Sequence, residues 1–164
     1  MIANFITYLS FLVKSTNQHG VHSPFVYNLL TKCLYKRPRR HYNRTKNLVL
    51  KSIPYFNIKH VLWHGHAEFK KEIAACYPHV IFGSPPYDLV LVEELPQINF
   101  DFLMEKGEIH NDTVFVITNL FKTNKRDWKQ LINTKDITVS IDAFWCGILF
   151  IRKEQEKEHF TIRI

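Results

Sequence analysis

The chain has 164 residues, 46% apolar and 23% charged, which is the make-up of one globular domain with at most a short appendage and excludes a disordered chain. That length can bury a core without disulfides or metals, and no apolar run approaches the roughly 20 residues of a membrane helix. The net charge of +7 is divided unevenly: residues 1–67 carry ten Lys or Arg and no acid, whereas residues 68–164 carry twelve basic and fifteen acidic residues. A basic half joined to a mildly acidic half points to an anionic partner, with a solvated basic surface as the plain alternative. Cys33, Cys76 and Cys146 are odd in number and widely spaced, which suits buried thiols in a reducing cytoplasm and neither a disulfide framework nor a zinc site.

The first segment, Met1 to Val13, lacks the basic start and small-residue cleavage site of a signal peptide. Its apolar residues Ile2, Phe5, Ile6, Leu9, Leu12 and Val13 recur at helical spacing, which predicts an amphipathic helix of the mature protein. A polar turn with His19, Gly20 and His22 follows. Ser23-Pro24 is a helix start signal, serine capping and proline in the first turn, and Phe25 to Leu34 then carries one apolar face. Lys36 to Tyr42 is a basic, proline-containing linker, and a short helix is expected from Arg44 to Ser52, ahead of Pro54.

From there strands and helices alternate. Strands are predicted at Lys59–Trp63, Val80–Phe82, Asp88–Val92 and Thr113–Leu120, with helices at Glu68–Tyr77, Phe100–Lys106 and Lys125–Asn133. Ile137–Ile141 and Gly147–Ile151 are close enough to form an antiparallel hairpin. The tail Phe160–Ile164 alternates, but the pattern assigns it no place. The expected fold is α/β, about six strands in a mostly parallel sheet closed by an antiparallel hairpin, with N-terminal helices packed on or beside it. The expected division is a helical extension and basic linker at 1–45 and an α/β domain at 46–164.

Several stretches resemble a bacterial group of class I S-adenosylmethionine-dependent methyltransferase-like proteins: KSTNQHGVHSPFVY (Lys14–Tyr27), HNDTV (His110–Val114), ITVSIDAFWCG (Ile137–Gly147) and RKEQEKEHF (Arg152–Phe160). A Rossmann-like sheet closing with one antiparallel strand is that family's layout. The resemblance implies S-adenosylmethionine as cofactor, near Trp63, His64, Gly65, His66 and Glu93, and a methyl acceptor that is a small molecule or nucleic acid.

The middle of the chain departs from the family pattern. Its first strand should run into a loop whose glycines let the backbone approach the cofactor; VLWHGHA (Val61–Ala67) keeps one glycine between two histidines. The second strand should end in an acid for the ribose, and VIFGS (Val80–Ser84) offers none. About one strand–helix unit is missing before Tyr87–Glu94. Glu93 stands where one acid of a Mg²⁺ site would be, but Thr118-Asn119 offers no second carboxylate, so no metal is expected. The alternative function is therefore a non-catalytic binding or interaction module on a methyltransferase fold.

The remaining candidates divide in the same way. His64 and His66 are either ligands completed by His19 or His22, or ordinary loop residues. His19 and His22 are substrate or partner contacts, or turn residues bonded to the backbone; Asn119 is a further substrate contact. Ser84-Pro85-Pro86-Tyr87 equals the tetrapeptide of cytosine-N4 DNA methyltransferases, or is a rigid inter-strand turn. Asp142, Phe144 and Trp145 contact a substrate or cap the core. Arg37, Arg39 and Arg40, with aromatic rings interleaved, suit a nucleic-acid backbone. A homo-oligomer is compatible with all of this, and no membrane partner is expected.

Overall fold

The computed structural model describes the backbone of residues 2–95 and 99–164, and side chains in the first helix from residue 6 onward. The elements are α1 (Ile2–Lys14), α2 (Pro24–Leu29, continued by a π turn Leu30–Leu34), α3 (Arg44–Tyr55), β1 (His60–His64), α4 (Ala67–Cys76), β2 (Ile81–Phe82), β3 (Tyr87–Val92), α5 (Phe100–Glu105), β4 (Ile109–Ile117), α6 (Lys125–Ile132), β5 (Val139–Asp142), β6 (Gly147–Phe150) and β7 (Glu158–Thr161). Ser23, Asn43, Asn99 and Asn124 cap α2, α3, α5 and α6 by accepting a backbone N–H of the first turn.

The strands form one seven-stranded sheet in the order β2-β1-β3-β4-β6-β5-β7. Every ladder is parallel except the two made by β6, which runs antiparallel to β4 on one side and β5 on the other. The period-two alternation of side chains splits the core into two faces. On one, Leu89, Leu91, Val114, Val116, Ile148 and Phe150 pack with residues of α2, α3 and α4 such as Leu29, Ile53 and Phe69. On the other, Val90, Val92, Phe115, Ile117 and Leu149 pack with Leu103 of α5 and Trp128 of α6. The fold is an α/β sandwich with a mostly parallel sheet, and Val21 to Leu34 share the first core cluster with the sheet.

Four expectations are corrected. The sheet has seven strands, because the tail supplies β7, which pairs in parallel with β5 through Val139–Glu158 to Asp142–Thr161. The helix expected to end at Ser52 runs through Pro54 to Tyr55. Ile6, Leu9 and Val13 of the α1 apolar pattern are exposed, and its anchors are Tyr8 and Phe11 against Phe144; the side chains of Ile2 and Phe5 lie outside the described residues. Cys33 and Cys146 are buried as expected, but Cys76 is exposed. Burial pushes the Cys33 thiol up to about 11 and the Cys146 thiol up to about 12, so both stay protonated at neutral pH.

The His-Gly turn has a structural task. Thr16 pairs with Ile162 beyond β7, donating its amide to Thr161 and accepting from Arg163. A Cβ at Gly20 would lie 2.0 Å from Thr16 Oγ1, so only glycine lets the turn fold back onto that bridge.

Asp88, at the start of β3, ties three strands together. Its Oδ2 accepts the amides of Lys59 and His60 at 2.7 and 2.8 Å, and its Oδ1 lies 3.1 Å from His110 Nε2 of β4. Burial alone would raise this carboxyl, but the two amides and His110 outweigh it and hold its pKa below the ordinary value. Asp88→Ala should lower the unfolding free energy by about 1–3 kcal/mol, because two strand-entry amides lose their acceptor. A native pKa below the unfolded one gives stability that is complete above the unfolded value of about 3.9 and is lost as pH falls through the native value. Urea denaturation should therefore show the gap between wild type and variant widest above about pH 4 and closing in stronger acid.

Candidate functional site

Chain order reverses beside β1: β2 lies on one side of it and β3 on the other. In a parallel α/β sheet that reversal leaves a crevice beyond the carboxyl ends of the strands, where ligands bind. A cleft lies there. Its inner part, about 200 Å³, is walled by Trp63, Gly65 and His66 after β1, Leu91 and Glu93 of β3, and Lys46 of α3. Its outer part, about 430 Å³, adds Arg44, Phe121 and Trp145. Asn43, Thr45, Thr118 and Asn119 border both.

Sequence reasoning placed Trp63, Gly65, His66, Glu93 and Asn119 here, and the fold brings these five together. His64 is exposed at the end of β1 and does not wall the cleft. Asn43 and Thr45 were missed; the local signal was the N-cap of α3, which puts the start of that helix at the cleft mouth. At the rim His66 Nε2 and Glu93 Oε1 are 3.3 Å apart, and the His66 side chain is 83% exposed. That pair is open to solvent, where it can orient a polar ligand but is strongly screened.

A Cβ at Gly65 would lie 2.9 Å from Leu91 Cδ2 and 3.1 Å from the Trp63 ring, so Leu91 and Trp63 pack closely on this glycine and a side chain there would have to displace them. Trp63 is fixed by edge-on contacts with Phe69 and Phe82, and its buried indole N–H has no partner among the described residues. After β2 the chain continues through Gly83 and the exposed Ser84, with no acid to meet a ribose. The residues present do not fit S-adenosylmethionine in the family's manner.

Other sequence candidates lie elsewhere. His19 and His22 are exposed in the turn before α2 and border neither part of the cleft. Among the described residues no three His, Cys, Asp or Glu side chains converge as metal ligands. Ser84 to Tyr87 lies at the amino end of β3, opposite the cleft. Tyr87 is buried there, its carbonyl taking the Thr113 hydroxyl at 2.7 Å, so its ring cannot stack on a flipped base; the turn reading holds. Phe144 caps the core in an aromatic cluster with Tyr8, Phe121 and Trp145, and Trp145 also walls the outer cleft. Asp142 borders a separate recess between α1 and α6, where burial pushes its carboxyl up. Arg37, Arg39 and Arg40 line neither part of the cleft.

No protein-family model matches the chain, and no curated protein matches it.

Gly65→Ala should cost about 1–3 kcal/mol by overpacking against Leu91 and Trp63. Urea denaturation would read the loss, and a shifted tryptophan emission would report the displaced Trp63 ring. Unchanged stability and emission would mean that the inner cleft has spare room.

Proposed function

We propose that this chain is a shortened, degenerate relative of the class I S-adenosylmethionine-dependent methyltransferases that works as a non-catalytic binding module. The sheet supports the kinship: it is mostly parallel, with a switch point beside β1 and one antiparallel strand, β6, set between β4 and β5. What supports the loss of catalysis is the close packing of Trp63 and Leu91 on Gly65 together with the lack of an acid between β2 and β3. What remains is the outer cleft, a 430 Å³ recess walled by Asn43, Thr118, Asn119 and the Trp145 and Phe121 rings. Amides and a hydroxyl beside two aromatic faces suit a small planar polar ligand.

One observation favours retained methyl transfer: His66 and Glu93 meet at the rim beside Asn119, where an acceptor would need a base. Isothermal titration with S-adenosylmethionine separates the two. The module reading expects no heat and no thermal shift up to millimolar cofactor. Micromolar binding that weakens in Glu93→Gln would overturn the loss of the cofactor site and support the methyltransferase reading.

A further inference from the structure

Outside the cleft, the basic segment between α2 and α3 borders two adjoining cavities. The larger, about 500 Å³, has Lys32, Lys36, Arg37, Arg40 and Lys51 in its wall. The smaller, about 220 Å³, shares Lys36, Arg37 and Lys51 and adds Arg39 and Arg44. No aspartate or glutamate lines either cavity. Arg44 is engaged with the carbonyl oxygen of Ile164 at 2.8 Å. None of the ion pairs between described residues involves Lys32, Lys36, Arg37, Arg39, Arg40 or Lys51.

These cations are held in place. Lys51 is only 8% exposed, and its ammonium donates to the carbonyls of Leu34 and Lys36, pinning the chain where α2 ends. That uses two of its three N–H donors. Burial, and then the neighbouring Arg39 and Arg40, press the Lys51 pKa down against the opposing effect of Cys33. The Arg40 amide is fixed by Asn47 Oδ1 at 2.8 Å, and its guanidinium lies 5.9 Å from the centre of the Tyr77 ring. The segment expected to be a basic linker is therefore anchored through Lys51 and Arg40, and it gathers like charges whose mutual repulsion a bound anion would relieve.

Aromatic rings accompany the charges. Tyr55 walls the larger cavity and Tyr35 the smaller, while Tyr42 is 88% exposed and its ring lies 4.3 Å from that of His41. Cationic seats beside open aromatic faces are the pattern for single-stranded nucleic acid, in which phosphates meet Lys or Arg and bases stack on rings. A flexible strand can bend consecutive phosphates into two concave seats, whereas a duplex is stiff over about 150 base pairs and cannot.

We propose that the two adjoining basic cavities seat consecutive phosphates of a single-stranded nucleic acid, with Tyr42 as a stacking face beside them. This stands whether or not the cleft accepts S-adenosylmethionine. The test is fluorescence anisotropy of a labelled mixed-sequence RNA or DNA strand of about 12 nucleotides, titrated with the full chain over a range of NaCl. Binding should fall with salt at a log–log slope of about −0.7 per phosphate contact. The Arg37→Ala/Arg39→Ala/Arg40→Ala variant should flatten that slope by about 2, and Lys36→Ala alone by about 0.7, each with an unchanged circular dichroism melt. Should the triple variant fail to fold, Lys36→Ala and Tyr42→Ala, both altering surface side chains, carry the test. Three results overturn the proposal: no anisotropy change even at low salt, tighter binding of the matching duplex, or displacement of the strand by inorganic triphosphate at equal phosphate concentration. The last would make the site a seat for a free polyphosphate.

Discussion

The carboxylate of Asp88 sets the frame for the rest of the structure. It accepts two amides where the chain enters β1 and meets His110 where β4 begins, so the amino ends of three parallel strands are held level around one charge. At the other edge the register His64–Val92–Ile117 sets the three strand ends level, the extra length of β4 being taken up by an irregularity near Tyr87. The carboxyl ends of β1, β3 and β4 therefore open onto one crevice, with Gly65, Glu93 and Asn119 around it. Deep burial of Leu89 to Val92 and Val114 to Ile117 then makes any slip in register expensive, because a one-residue shift would exchange the two core faces.

Leu91 and Trp63 belong to the core cluster facing α3 and α4 and reach to Gly65 from beneath. Their contact there is hydrophobic packing, worth about 25 cal/mol per Å² of apolar surface buried. The sheet edge beyond β1 is only the two-residue β2, and no acid follows it before β3.

One helix serves both candidate sites. The start of α3, capped by Asn43, offers Thr45 and Lys46 to the cleft, while Asn47 and Lys51 support the basic cavities. Asn47 and Lys51, four residues apart, share one face of α3. The Thr16–Ile162 bridge and the bond from Arg44 to Ile164 bring the tail to the N-terminal segment, so both chain ends brace the ground on which the basic rim stands.

By itself the sequence determined the alternation of strands and helices, the β5–β6 antiparallel pair and the buried character of β3 and β4. Those follow from local signals: apolar period and capping residues. Trp63, Gly65, His66 and Glu93 were pointed to by the family resemblance, and the fold brings them to one cleft. Tertiary structure alone decided four matters. It gave the alternating tail a partner in β5, since strand pairing is a long-range choice that periodicity does not encode. It carried α3 through Pro54, because the residues around it are buried in the core and packing overrides local propensity. It turned Ile6, Leu9 and Val13 outward, where spacing predicts an apolar face but cannot say what covers it. It also showed that Trp63 and Leu91 pack closely on Gly65, and that Lys51 fastens a basic segment whose composition reads as a linker. Both depend on which side chains meet across elements distant in the chain, and no local pattern records such a meeting.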